Sequence, residues 1–330
     1  MIGSDSVLNF RRLGKTNLQI SEIGYGSWGI GNSGWRGAED NESVKALHRA
    51  IALGVNFIDT ALVYGDGHSE QLVGQVVREH TETVFVASKV PPANRQWPAR
   101  TGVDVKETFS AEHIIKSTET SLRNLGLDTI DVQQFHVWSD EWLGHGDWLE
   151  GVQRLKEQGK IRFFGVSIND HQPANAIRLI ETGVVDTVQV IYNVFDQSPE
   201  DELFPACLKH DIGVIVRVPL DEGGLTGRIT PDTTFPADDF RNHYFKGERK
   251  REVFERVQKM VDALHMDIQQ APTVALRYVL SHPAVSTVIP GMRTVRNVET
   301  NSALADGRGL SADQVQGLKS HRWIRNFYND

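Results

Sequence analysis

The chain is 330 residues long, 39% hydrophobic and 24% charged, with a net charge of −8 at pH 7; that is ordinary globular composition, and enough length for two medium domains or one large closed α/β barrel. The acid excess leaves no basic footprint to neutralise phosphates, which argues against a nucleic-acid partner; the densest basic stretch, Lys246 to Arg251, is interrupted by Glu248 and reads as a solvated helix start. No apolar run approaches the roughly 18 residues of a membrane span, and the opening MIGSDSVLNFRRLG lacks the basic-then-apolar order of a signal peptide, so the expectation is a soluble, cytoplasmic protein with no membrane partner.

In chain order, residues 7–21 (VLNFRRLGKTNLQIS) read as a small hairpin around Gly14. A first barrel strand is expected at 20–26 (ISEIGYG), followed by a helix over 41–54 that opens on an Asn cap and stops at Gly54. Further strands are expected at 57–61, 84–90, 129–137, 161–168, 187–194, 213–220 and 285–290. Several are almost continuously apolar, as in strands buried on both faces of a parallel sheet. Helical patterns fall between them at 69–79, 110–125, 147–159, 172–183 and 199–210, and 250–283 carries two helices separated near Pro272. Eight strands alternating with helices, without a linker-like shift in composition, predict a single α/β domain over 1–330, a (β/α)8 TIM barrel with a short N-terminal hairpin before its first strand. A doubly wound open sheet is the competing arrangement. Two long polar loops, 91–109 and 221–249, follow the third and seventh strands; in a barrel both lie on the face where active sites form.

Several motifs carry less than they promise. Gly24-Tyr-Gly26-Ser-Trp-Gly29 matches the dinucleotide pattern G-x-G-x-x-G, but that pattern needs the glycines to lead directly into a helix. Here the chain continues as IGNSGWRGAED, without an apolar helical period. Gly14-Lys15-Thr16 resembles the end of a phosphate-binding loop, whose required first glycine would fall at Asn9. One cysteine, Cys207, forbids an intrachain disulfide, and the twelve histidines show neither H-E-x-x-H nor H-x-x-E-H spacing, so no metal is expected.

Chemistry gathers instead at strand ends. Asp59 ends the second strand, Tyr64 lies in the loop after it, Lys89 ends the third and His136 the fourth. Taken singly, each has a bland reading: a loop cap, a satisfied core residue, a lysine reaching water. Together they converge on one mouth of a barrel. A Lys and an Asp in a largely apolar mouth must pair, and a Tyr beside that Lys is expected to have its pKa pulled down, which makes it a usable proton donor. The set holds an acid, its tuner and an orienting group, but no strong nucleophile and no metal ligands. It suits protonation of an oxygen while a borrowed hydride attacks the carbon.

The stretches GVNFIDTALVYGDGHSE (54–70), ASK (87–89), DVQQFHVW (131–138), IRFFGVSIND (161–170), VQVIYN (188–193), VRVPLDEGGLTGR (216–228) and VIPGMRTVRNVETN (288–301) resemble, in order, the motifs of the aldo-keto reductase superfamily across essentially the whole chain. The resemblance implies an NAD(P)H-dependent oxidoreductase that reduces aldehydes or ketones to alcohols. Tyr64 would be the general acid, Asp59 and Lys89 its tuners, and His136 the group that positions the carbonyl. Ser167, Asn169 and Gln189 match positions that hold the nicotinamide carboxamide, although Ile168 splits the usual Ser-Asn pair. Arg217 stands where many relatives carry an aromatic residue that stacks on the nicotinamide, and its guanidinium plane can stack too. Ser27 and Trp28 fall at the cofactor end of the first strand; Leu220, Gly224 and Leu225 match the pyrophosphate loop; Gly291, Arg293, Asn297 and Asn301 match the adenosine-phosphate segment. Arg293 argues for NADPH, with NADH the less favoured alternative. Trp28, Trp138 and Trp142 are expected to wall a pocket for an aromatic or aliphatic carbonyl substrate, and Glu70 fits a structural place at a helix start. The resemblance leaves a second reading, a cofactor-binding, redox-sensing regulatory subunit like the potassium-channel β subunits.

Overall fold

The computed structural model describes residues 8–329, so Val7 of the expected hairpin and the first half of the stretch read for a leader lie outside the described residues. The hairpin forms as β1 (Phe10–Arg12) and β2 (Gln19–Ser21), paired antiparallel. Eight strands then pair parallel in strict chain order: β3 (Tyr25–Gly26), β4 (Phe57–Asp59), β5 (Phe85–Val90), β6 (Ile130–Phe135), β7 (Ile161–Ser167), β8 (Thr187–Ile191), β9 (Gly213–Arg217) and β10 (Val285–Val288). The expected first strand, 20–26, is thus two pieces: its start belongs to the hairpin and its end to the sheet.

The sheet closes on itself. Gly24 N donates to Val288 O at 2.9 Å, Gly26 N to Pro290 O at 3.1 Å and Val288 N to Glu22 O at 3.0 Å, with parallel bridges Ile23–Val288 and Gly26–Gly291. Gly26 is required at that seam, because a Cβ there would lie 2.5 Å from Ile289 O. The architecture is the (β/α)8 barrel, not the open sheet.

Strand alternation divides the core in two. Ile58, Val86, Val166, Val188, Val214 and Val216 face outward and join the large cluster beneath the helices. Phe57, Ala87, Val132, Ile215 and Ile289 face inward and form a second cluster with Leu13, Leu18 and Ile20 of the hairpin, which plugs the N-terminal end of the barrel. Two residues further along each strand the inward position turns polar: Asp59, Lys89, Gln134, Ser167, Gln189 and Arg217. The barrel is therefore dry at its base and polar at the mouth formed by the C-terminal strand ends.

Helices Asp40–Ala52, His68–Glu79, Ala111–Leu125 and Trp148–Glu157 lie close to where the patterns place them, though the first is capped by Glu39 and takes Asn41 into its first turn. The expected helix 172–183 is a 3-10 turn (Pro173–Ala176) and a short helix (Ile177–Glu181), and 199–210 likewise breaks into Ser198–Glu200 and Leu203–Lys209. The pair over 250–283 is Arg249–Ala263 and Ala271–Leu280; Pro272 sits in the first turn of the second helix, where its missing N–H costs nothing. Two further helices, Val295–Ser302 and Ala312–Leu318, carry caps readable in sequence, Thr294 and the Ser311/Gln314 capping box.

Candidate active site

The register brings the strand-end residues together. Asp59 pairs across with Ala87, placing Lys89 one inward step higher on β5, and Lys89 in turn lies opposite Gln134 on β6. Lys89 is fully buried, and its three ammonium protons have three acceptors: Asp59 Oδ2 at 2.6 Å, Thr60 O at 2.8 Å and Tyr64 OH at 3.2 Å. Because the Tyr64 oxygen accepts from Lys89, its own proton is free for another acceptor. His136 follows directly on β6, and its ring stands edge-on to Tyr64 with centroids 5.9 Å apart. The four residues form one cluster at the mouth.

The electrostatics differ in one respect from the sequence expectation. Burial is the largest influence on Tyr64 and raises its pKa; the Lys89 charge works downward, the Asp59 charge upward, and the net result is a raised value. The Lys–Asp pair is close to neutral as a unit, so it cannot overcome desolvation of the phenolate. Burial also opposes the Lys89 charge, yet Asp59 and Tyr64 more than offset it and keep the ammonium charged. Burial, assisted by Lys89 and Arg217, pushes His136 well below the usual imidazole range, so it is neutral at neutral pH. Glu70 is buried behind this layer, accepting from Ser88 Oγ at 2.6 Å and Asn124 Nδ2 at 2.8 Å, which is the structural place expected of it.

A cavity of about 660 Å³ opens over the cluster and runs from Trp28, Tyr64, Trp97 and His136 to Arg228, Arg293 and Arg296. Ser27, Ser167, Asn169, Gln189, Arg217, Leu220, Gly291, Asn297 and Asn301 all line it. Their engagement differs. Among the described residues Ser167 makes no side-chain hydrogen bond, whereas the Ser27 hydroxyl accepts from Ser69 Oγ at 2.7 Å. The Asn169 amide is committed to both polar atoms of the Ala99 backbone, at 3.1 and 3.2 Å, tying the 91–109 loop to the mouth. Arg217 pairs with Asp170 at 2.6 Å and Ile168 O at 3.0 Å, leaving its buried Nε without a partner.

Two expectations are corrected. Trp138 and Trp142 do not wall the cavity: both are buried behind β6, packed with Phe109, Phe135 and Trp148. The strand ends at Phe135, so inward alternation does not carry on to Trp138. Trp97 and Trp35 supply the aromatic wall instead, Trp97 edge-on to His136 with centroids 5.8 Å apart. Gly224 and Leu225 also lie off the cavity; Leu225 is fully buried and a Cβ on Gly224 would meet Asp221 Oδ2 at 2.6 Å. Gly223 and Thr226 take the wall positions.

The loop that leaves β9 is strained. Val218, Asp221 and Glu222 have φ of 53°, 52° and 53°, a region that costs a β-branched residue such as Val about 1–2 kcal/mol. The C-terminal tail holds it in place: Arg325 donates to Asp221 at 2.5 Å and Tyr328 OH to Glu222 at 2.5 Å. Tyr328 thereby reaches the cavity wall, which no local signal in the sequence announces.

The donor set fits a phosphorylated dinucleotide. Arg228, Arg293 and Arg296 line one end and none has an acidic partner among the described residues; three unpaired guanidinium groups suit phosphate oxygens. Arg228 and Arg296 escaped sequence reading, although both stand inside the quoted motifs. At Gly291 the space a Cβ would take is open, leaving the backbone approachable from the cavity.

The family model "Aldo/keto reductase family" matches residues 22–322. The chain belongs to that family. It is similar to aldo-keto reductase YhdN of Bacillus subtilis, with 29% identity covering 93% of this chain and 92% of that protein. It is also similar to an NADH-specific methylglyoxal reductase of Escherichia coli, at 29% identity over 88% and 91% of the two chains. Among solved structures, an aldo/keto reductase of Klebsiella pneumoniae in complex with NADP and acetate superposes with a TM-score of 0.68, at 26% identity over 97% and 98% of the two chains. As an aldo-keto reductase the chain is an NAD(P)H-dependent oxidoreductase acting on carbonyl groups.

Proposed function

We propose that this aldo-keto reductase, acting as one barrel domain, reduces small aldehydes or ketones to alcohols with NADPH, using Asp59, Tyr64, Lys89 and His136. The observation that carries the reading is the saturated Lys89 ammonium, whose third proton goes to the Tyr64 oxygen and leaves the Tyr64 proton for the substrate. When bound, NADPH supplies a hydride to the carbonyl carbon. Tyr64 donates its proton to the carbonyl oxygen as that oxygen becomes an alkoxide. Its raised pKa keeps it loaded at neutral pH, and Lys89 stabilises the phenolate once the proton has left. Neutral His136 offers a ring N–H to the same oxygen and fixes its direction. Trp28 and Trp97 exclude water and take the apolar part of the substrate.

Ser167 and Gln189 would hold the carboxamide, and Asn169 would keep the 91–109 loop over it. Arg293, with Arg228 and Arg296, would take the 2′-phosphate, which favours NADPH over NADH. The Klebsiella relative holds NADP, while the E. coli relative is named NADH-specific, so relatives of this chain use either cofactor and the preference is tested directly. The test is NADPH oxidation with a panel of aldehydes by wild type and Tyr64→Phe. Turnover should fall by about a thousandfold in the variant, within the roughly hundred- to ten-thousandfold that a positioned general acid supplies, with NADPH binding retained. Turnover unaffected by Tyr64→Phe would sink the mechanism. No turnover with any carbonyl, beside tight NADPH binding, would turn the reading toward a regulatory subunit.

A further inference from the structure

Gln134 stands inside the barrel with no part in the mechanism above. It is fully buried on β6, opposite Lys89 on one side and Gly165 on the other. Its Nε2 donates to Asp59 Oδ1 at 3.3 Å, and its Oε1 accepts from Gln189 Nε2 at 3.3 Å. Gln189 Nε2 also donates to Asp59 Oδ1, at 2.7 Å. Gly165 keeps the path between the strands clear: a Cβ there would lie 2.3 Å from Thr187 Oγ1 and 3.1 Å from Gln134 Cγ.

The carboxylate dictates how both amides must turn. Paired with Lys89 through Oδ2, Asp59 can only accept, so each glutamine must present its NH2 to Oδ1. Gln134 Oε1 then takes the second N–H of Gln189. Both N–H groups of Gln189 are spent inside the barrel, and its Oε1 is left for the cavity that Gln189 lines. An acceptor at that point selects a ligand group carrying an N–H.

We propose that Gln134 is a positioning residue: it locks the Gln189 amide with its oxygen toward the cavity and braces the free oxygen of Asp59, so that the site accepts a nicotinamide carboxamide by its NH2. The proposal rests on the cofactor reading above, and the test separates the two.

Three probes are titrated by fluorescence quenching or calorimetry: NADP+, its 3-acetylpyridine analogue, in which a methyl ketone replaces the carboxamide, and 2′,5′-ADP, which lacks the nicotinamide. Wild type should bind NADP+ about tenfold more tightly than the acetylpyridine analogue, the worth of one buried hydrogen bond. In Gln134→Leu that ratio should fall to about twofold or less, with 2′,5′-ADP affinity unchanged and kcat lowered about tenfold. A preserved ratio in folded Gln134→Leu overturns the proposal and leaves the cofactor reading standing. Failure of wild type to bind 2′,5′-ADP or NADP+ overturns both. Gln134→Met covers the case where the leucine variant does not fold. It keeps the length of the side chain but can neither accept from Gln189 nor donate to Asp59. The ratio should again fall to about twofold or less; a preserved ratio in folded Gln134→Met overturns the proposal.

Discussion

Two groups of aromatic side chains flank the mouth of this barrel, and they look alike in sequence. One is Trp28, Trp35, Tyr64, Trp97 and Phe240; the other is Phe109, Phe135, Trp138, Trp142 and Trp148. The first is wrapped in charge: Lys89 lies 4.9 Å from the Tyr64 centroid, and Arg241 and Arg293 stand 4.2 and 5.5 Å from that of Trp35. The second holds no cation–π contact among the described residues, and its indole N–H groups end on local acceptors, Trp138 on Asp140 at 2.8 Å and Trp142 on Val103 O at 2.8 Å. Satisfied indoles with no cation over their faces are packing. Rings that share a cavity with cations are available to a ligand.

The sharpest break between the groups is stability against activity. Trp138→Ala removes a fully buried indole from the second group and should cost about 3–5 kcal/mol in denaturant unfolding. Activity per folded molecule should hold within about twofold in the cold. A comparable loss of turnover without loss of stability would return Trp138 to the substrate pocket.

That pair of tryptophans also marks where the sequence stops being legible. The barrel can be read because each strand is a separate apolar pulse bounded by helix caps. Asp59, Lys89 and His136 can be read because a charge or imidazole at the end of such a pulse breaks its pattern. Whether Trp138 points in or out depends on a strand that ends at Phe135, one or two residues sooner than its composition suggests. Trp35 and Trp97 sit in loops without period, so only the folded chain brings them to the mouth. The direction of the Tyr64 shift is hidden for a different reason: a sequence shows the neighbouring lysine but not the depth of burial that outweighs it. Gln134 had a legible signal, a glutamine at an inward position of a buried strand, and needed only the alternation carried past Val132.

The next contrast lies within the first group, between its cations. Arg241 is bound to Asp239 through two contacts, at 2.7 and 2.8 Å, so its charge is already answered. Arg293 makes no ion pair among the described residues: it donates to Arg36 O at 2.8 Å and lies over Trp35, and burial with nearby Arg241 lowers its pKa against the pull of Asp239. Arg293→Ala should therefore weaken NADPH binding by about tenfold to a hundredfold, the range of one charge-assisted hydrogen bond, and leave NADH binding within about twofold. Arg241→Ala should not change the NADPH-to-NADH ratio, since its charge serves Asp239. Equal loss for both cofactors in Arg293→Ala would remove that residue from the phosphate end.

The smallest effect is expected at Trp97, which is 42% exposed and rests edge-on against His136. Its exposure means that little apolar area is lost from the fold on truncation, so Trp97→Ala should change the unfolding free energy by less than about 0.5 kcal/mol. What it does lose is a ring that lines the cavity beside His136 and Tyr64, where the proposed substrate would lie. An aromatic pair is worth about 0.5–1.5 kcal/mol beyond its area, so KM for an aromatic aldehyde should rise about two- to tenfold with kcat nearly unchanged. A short aliphatic aldehyde, which cannot pair with the indole, should show a smaller rise. Equal effects on both substrates would mean that Trp97 orients His136 rather than binding substrate, and kcat would then fall with both.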